Sequence, residues 1–199
     1  MTAHLPAVLA LLASYAAGSI PSGLWFGLWL RGVDIREHGS RNIGATNTLR
    51  VLGKKLGGMT LAFDVLKGLL PVAAAGFVPS PLAPGLLPVL CGMAAILGHT
   101  FSLFLKFKGG KGVATSTGVF LALAPWQTLL AAAVFGLVVW RTRMVSAGSI
   151  SAAAALLAAV LAGGADTPVT VVAVIIAVLV VYKHRANIGR ILRGEENRF

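Results

Sequence analysis

The residues best suited to chemistry in this chain lie in three polar stretches set between apolar runs. The first reads Arg36-Glu-His-Gly-Ser-Arg-Asn-Ile-Gly-Ala-Thr-Asn-Thr-Leu-Arg50. Gly39 and Gly44 allow backbone shapes that aim several N–H groups at one point. Ser40, Asn42, Thr46 and Asn47 add neutral hydrogen-bonding groups. Arg41 and Arg50 carry planar forks that match phosphate oxygens. Such a loop suits a phosphate; the alternative is a solvated turn with a helix cap at Ser40 or Thr46.

The second stretch reads Phe107-Lys-Gly-Gly-Lys-Gly-Val-Ala-Thr115 and opens onto an apolar run from Val113. Gly109, Gly110 and Gly112 leave the backbone bare, and Lys108 and Lys111 supply charge. A helix starting there adds free N–H groups and a positive dipole end. The combination favours an anion, against the alternative of a flexible turn carrying topological charge. It is not a nucleotide P-loop: Leu105 stands where the first glycine is required, and Gly112, not Ser or Thr, follows Lys111. The third stretch is the basic tail from Lys183 to Phe199. If helical, it places His184, Asn187 and Ile191 on one face. Arg193 and Arg198 suit contact with anionic headgroups, which calls for neither His184 nor Asn187.

The elements that hold these stretches are membrane spans. Of 199 residues, 57% are hydrophobic and 12% charged, about half the ~25% charged share of soluble domains. Several uncharged runs reach the roughly 20 residues needed to cross a bilayer. The whole chain, 1–199, reads as one polytopic, all-α integral membrane domain. Cys91 is the sole cysteine, which excludes an intramolecular disulfide. Spans are expected over Leu5–Leu30, Leu56–Phe77, Gly85–Leu105, Met144–Ala162 and Val169–Tyr182. The run from Gly112 to Trp140 is one kinked helix or two short ones meeting near Pro125. In the first span, Ser19, Gly23 and Gly27 recur every four residues, a spacing for close helix packing.

Charge decides the ambiguous run. Cytoplasmic loops carry the excess Lys and Arg. Two crossings between Gly112 and Trp140 put every loop base inside, and the turns 78–84 and 163–168 hold none. Seven transmembrane helices follow, with the N-terminus periplasmic and the C-terminus cytoplasmic. The net charge of +11 is then topological, and no nucleic-acid partner is expected. Asp64 and Lys67 sit three apart within a span, where ionisable groups are paired or functional. They predict a structural ion pair supporting the first loop.

What is missing narrows the chemistry. No His is followed five residues later by Asp, the acid–base pair of common acyl-CoA-type glycerolipid acyltransferases. Neither metal-ligand spacing nor a serine nucleophile elbow occurs, so no metal or cofactor is expected. The lack of an internal repeat weakens a repeat-built transporter. A transporter of a phosphorylated solute is the rival class, but it needs polar groups on both faces. A non-catalytic scaffold has no use for glycine loops beside lysines.

The stretches Gly39–Asn47, Phe107–Thr115 and His184-Arg-Ala-Asn-Ile188 resemble the three signature motifs of the bacterial PlsY family. Gly18-Ser-Ile-Pro-Ser22 and Gly98-His-Thr-Phe101 resemble further family stretches, so the likeness covers nearly the whole chain. It implies a seven-span inner-membrane enzyme that acylates glycerol 3-phosphate from acyl phosphate, giving lysophosphatidic acid and inorganic phosphate. By position, it implies that Ser40, Arg50, His184 and Asn187 are catalytic. Gly109, Gly110 and Gly112 match a glycine loop associated with glycerol 3-phosphate, with Asn42, Thr46, Asn47, Lys108 and Lys111 as further binding residues. Glu196 matches a structural glutamate. Arg41 stands where many members have glycine. Two phosphorylated substrates must approach each other, so cations and fixed donors suit the reaction.

Overall fold

Proline decides where the first apolar run bends. In the computed structural model, which describes residues 4–198, that run is two helices, α1 (Leu5–Ser19) and α2 (Ser22–Arg31), bent by 48°. Pro21 lacks an N–H and pushes Ile20 out of helical geometry, to φ −58°, ψ 116°. The uninterrupted span expected from sequence is therefore broken. Carbonyls freed within a bilayer need protein partners. Lys67 Nζ donates to the Ile20 carbonyl at 2.7 Å, and Ser102 Oγ donates to that of Ser19 at 2.5 Å.

The other helices are α3 (Ala45–Leu52), α4 (Lys54–Ala75), α5 (Leu86–Thr100), α6 (Val113–Leu123), α7 (Pro125–Thr142), α8 (Val145–Ala162), α9 (Thr167–Lys183) and α10 (Arg185–Leu192). A 3-10 turn, Leu103–Leu105, follows α5, and no strand occurs among the described residues. The break expected near Pro125 is present. Pro125 opens α7, where its missing N–H has no intrahelical partner to lose.

The chain forms two compact units, divided between Ala122 and Leu123. In the first, helices approach through glycine. A Cβ on Gly18 of α1 would run into the Ala95 backbone of α5, and one on Gly98 of α5 into Tyr15 of α1. Gly68 of α4 and Gly118 of α6 meet the carbonyls of Thr115 and Val65 in the same way. Within lipid, close packing of this kind supplies much of the attraction between helices. Gly23 and Gly27 serve the close packing their spacing suggests: Gly23 meets Thr48 of α3 and Thr60 of α4, Gly27 meets Leu52 of α3, and the same face also carries Val33 and Ile43 of the first loop. In the second unit α7 packs on α8, α8 on α9, and α10 on both α8 and α9.

Among the described residues, three helices are long and apolar enough to cross a membrane: α4, α5 with its 3-10 turn, and α8. Counting the bent pairs α1–α2 and α9–α10 raises this to five. The 11 residues of α6 extend only about 16 Å, short of a hydrocarbon core of ~30 Å.

Candidate active site

The first loop is built around one buried amide. Asn47, in the first turn of α3, is 1% exposed. Its Nδ2 donates to the carbonyls of Ile35 at 2.8 Å and His38 at 3.2 Å. Its Oδ1 accepts the Ser40 N–H at 2.8 Å. Gly39 must be glycine here, because its φ is +58° and a Cβ would collide with Asn47 Oδ1. Ser40 is thus held at an exposed rim by a side chain seven residues ahead. Asn42 Oδ1 accepts the Gly44 N–H at 2.9 Å, closing a turn before α3. Gly44, not Ser40 or Thr46, takes the cap position of that helix. Thr46 is partly buried in the first turn, and Arg50 is exposed in the last.

The loop's arginines differ. Arg36 is bound by Asp34, at 2.5 Å for the closest pair, and those hydrogen bonds hold the Asp34 carboxyl below its ordinary range. Arg41 is exposed and adopts φ +58°, a conformation that disfavours a side chain by about 1–2 kcal/mol. The backbone there asks for glycine.

The second loop lies at the same end of the first unit. Leu105 packs against the buried cluster of Leu24, Ile35 and Ile43 beneath the first loop. The glycines prove to be closely fitted to the end of α5. The Gly110 N–H donates to the His99 carbonyl at 3.0 Å, and the Gly109 N–H to that of Thr100 at 3.2 Å. These two amides are engaged within the protein. Gly112, at φ +80°, accepts the Ser116 N–H at 2.7 Å and starts that helix. Lys108 is exposed and Lys111 partly buried.

Below the loop, Asp64 and Lys67 form the expected ion pair at 2.7 Å. Both are buried, 1% and 7% exposed. The contacts they make lie elsewhere than the first loop: Ser22 Oγ donates to Asp64 Oδ1 at 2.8 Å, and Lys67 caps the Ile20 carbonyl. The pair braces the α1–α2 break. His99 joins it, with Nδ1 3.8 Å from Asp64 Oδ1. Sequence reasoning assigned His99 no role, although an ionisable group at the end of an apolar run carries the signal that singled out Asp64 and Lys67.

In the second unit His184 stands at the 56° bend between α9 and α10 and is 2% exposed. Its Nδ1 lies 2.8 Å from the Val180 carbonyl. A carbonyl only accepts, so Nδ1 carries a proton. One turn on, Asn187 Nδ2 donates to Glu196 Oε1 at 2.6 Å. Ser146 Oγ of α8 donates to the same oxygen at 2.8 Å, and Arg190 Nε reaches Oε2 at 2.7 Å. Glu196 clasps the tail to α8 and α10. Burial raises its pKa, but the hydrogen bonds from Asn187, Ser146 and Arg190, with the Arg190 charge, outweigh burial and hold it below the glutamate range. Ser146 carried no distinguishing mark in sequence, being one small residue among many in α8.

The model of the family described as glycerol-3-phosphate acyltransferase matches residues 8–194. A glycerol-3-phosphate acyltransferase of Fusobacterium nucleatum is 48% identical over 192 residues, spanning 95% of this chain and 96% of its own. One from Anaeromyxobacter is 44% identical over 189 residues, covering 94% of this chain and 93% of its own. Among solved structures, PlsY, an integral membrane glycerol 3-phosphate acyltransferase crystallised in its glycerol 3-phosphate form, superposes with a TM-score of 0.89. It is 38% identical, and the match covers 97% of this chain and 95% of that one. Its lysophosphatidic acid form superposes at 0.85. The family model and these full-length likenesses agree, and the chain belongs to the glycerol-3-phosphate acyltransferase family of integral membrane enzymes.

Proposed function

We propose that this acyltransferase moves the acyl group of acyl phosphate to the 1-hydroxyl of sn-glycerol 3-phosphate. The products are lysophosphatidic acid and inorganic phosphate, in the first acylation of phospholipid synthesis. The observation that carries the reading is the meeting of two anion-suited loops at one end of the first unit, joined through Leu105, Ile35 and Ile43. Likeness to a structure in its glycerol 3-phosphate form supports the acceptor.

Attack is direct. The hydroxyl oxygen forms an ester bond to the acyl carbon, and the bond from that carbon to the phosphate oxygen breaks. Phosphate leaves with the bonding pair. An acyl phosphate is a mixed anhydride with a good leaving group, so no activated protein nucleophile is needed. The hydroxyl proton passes to the departing phosphate, whose second pKa of about 6 to 7 lies near working pH. Arg50 and Lys111 hold phosphate, with Lys108, Asn42, Thr46 and the α6 amides completing the anion site. Ser40 supplies a hydrogen bond at the rim. Asn47 acts as scaffold, since its amide is engaged with the loop backbone. Likeness to the third family motif supports His184 and Asn187 as further catalytic residues. Ser40 marks the test. Protein incubated with radiolabelled acyl phosphate alone and then denatured should carry no label. Stoichiometric label on Ser40, chased into product by glycerol 3-phosphate, would replace direct transfer with an acyl-enzyme. Activity abolished by a chelator and restored by one divalent ion would end the metal-free scheme.

The family match from residue 8 to 194 supports one functional domain over the chain. The distribution of bases supports seven crossings of the bacterial inner membrane, N-terminus periplasmic and C-terminus cytoplasmic, with the site at the cytoplasmic face. Acyl phosphate enters from lipid there and glycerol 3-phosphate from water. Single cysteines placed at Ala83 and Ala165 should react with an impermeant thiol reagent in intact cells, and those at Arg36 and Arg193 should not. Labelling at Arg193 from outside would remove one crossing.

A further inference from the structure

The buried cluster beneath the second loop holds a residue that the proposed chemistry leaves unused. His99 ends α5 and is 4% exposed. On one side its Nδ1 faces Asp64 Oδ1 at 3.8 Å, a carboxylate already paired with Lys67 and bonded by Ser22. On its other side the ring fills the space where a Gly110 side chain would lie. A Cβ there would run into Nε2, with Cε1 and Cδ2 close behind at 3.0 and 3.2 Å. The His99 carbonyl accepts the Gly110 N–H, and the Thr100 carbonyl that of Gly109. A Cβ on Gly109 would strike the same His99 carbonyl. The loop is therefore pressed onto the end of α5 by its backbone bonds and by the buried imidazole that fills the place of a Gly110 side chain.

We propose that His99 is a positioning residue for acyl transfer, a ring clamped between the Asp64–Lys67 pair and Gly110 that sets the path of residues 107–112. It thereby fixes where Lys108 and Lys111 present their charge to phosphate. Gly110 is glycine to admit the imidazole, not to admit substrate. The inference rests on the proposed function for the identity of the substrate those lysines meet.

A double-mutant cycle tests it, read in kcat, in KM for glycerol 3-phosphate and in the thermal unfolding midpoint in detergent. His99→Asn keeps a polar side chain at this position and removes the ring atoms beside Gly110. Gly110→Ala alone should raise KM by about tenfold or more, since displacement by roughly 1 Å is enough to spoil substrate positioning. It should also lower the midpoint. In the His99→Asn background the same substitution should change KM by no more than about twofold, the residual expected when the interaction is gone. Equal losses in both backgrounds would overturn the proposal, because substrate rather than the ring would then be what excludes the methyl group. Coupling seen in the midpoint but not in KM would also overturn it, leaving His99 a packing residue. His99→Ser is the second background, judged by the same criteria, should His99→Asn fail to fold. The wild-type assay separates the two readings. No product from acyl phosphate and glycerol 3-phosphate would defeat the function proposed above, whereas active wild-type protein with an uncoupled cycle would defeat only the role of His99.

Discussion

Asn47→Ala is expected to destabilise the protein by about 3 kcal/mol and to lower kcat by about 100-fold, with smaller changes in either KM. The side chain is 1% exposed and holds three backbone groups, of Ile35, His38 and Ser40. Each buried group left without a partner costs about 1–3 kcal/mol. The loop is partly open to water, so the lower end of the sum applies. The loss in kcat follows because Ser40 has its backbone N–H fixed by this amide. Thermal unfolding with steady-state kinetics reads both effects. If Asn47 touched phosphate, as the composition of the loop suggests, alanine would raise KM for one substrate and leave stability unchanged. That pattern would contradict the scaffold role.

Glu196→Ala is expected to have an effect of similar size in the second unit, about 3 kcal/mol with roughly a 100-fold fall in kcat. Removing the carboxylate leaves the Arg190 guanidinium, the Asn187 amide and the Ser146 hydroxyl without their common acceptor. Asn187 then loses the contact that orients it. Glu196→Gln keeps one oxygen as acceptor and should retain part of the activity, which a purely charge-based role would not allow. The pH dependence has a definite sign. The folded carboxyl is held below its unfolded value, so the clasp contributes fully above the unfolded glutamate pKa of about 4.3. Its contribution is lost as pH falls from there through the depressed folded value. In Glu196→Ala the acid-induced loss of stability over that window should shrink. An unchanged acid profile would show that the clasp does not govern stability.

Much of this was legible from residue types. Pro125 announced the break between α6 and α7, and two ionisable residues three apart within a span announced an ion pair. What escaped had a physical cause in each case. Pro21 breaks the first helix within a run that carries no charge, because a local backbone restriction leaves no trace in hydropathy. Gly109 and Gly110 looked like an open phosphate cradle, yet their amides bind the end of α5. Backbone pairing between segments is not written in either segment. Asn47 looked like a ligand because an amide can serve a substrate or a loop equally well, and only burial tells them apart. His99 and Ser146 acquire meaning solely from what tertiary packing places beside them, Gly110 in one case and Glu196 in the other. Likeness to a family picked out Glu196 without supplying the reason, which is a carboxylate shared among Asn187, Ser146 and Arg190.

The most direct measurement is the product formed by purified, detergent-solubilised protein from a labelled acyl donor and glycerol 3-phosphate. With acyl phosphate, lysophosphatidic acid and inorganic phosphate should appear in equal amounts, without added metal, and an acyl thioester in its place should give none. Product from the thioester with none from acyl phosphate would contradict the donor, the leaving group and the direct transfer proposed here.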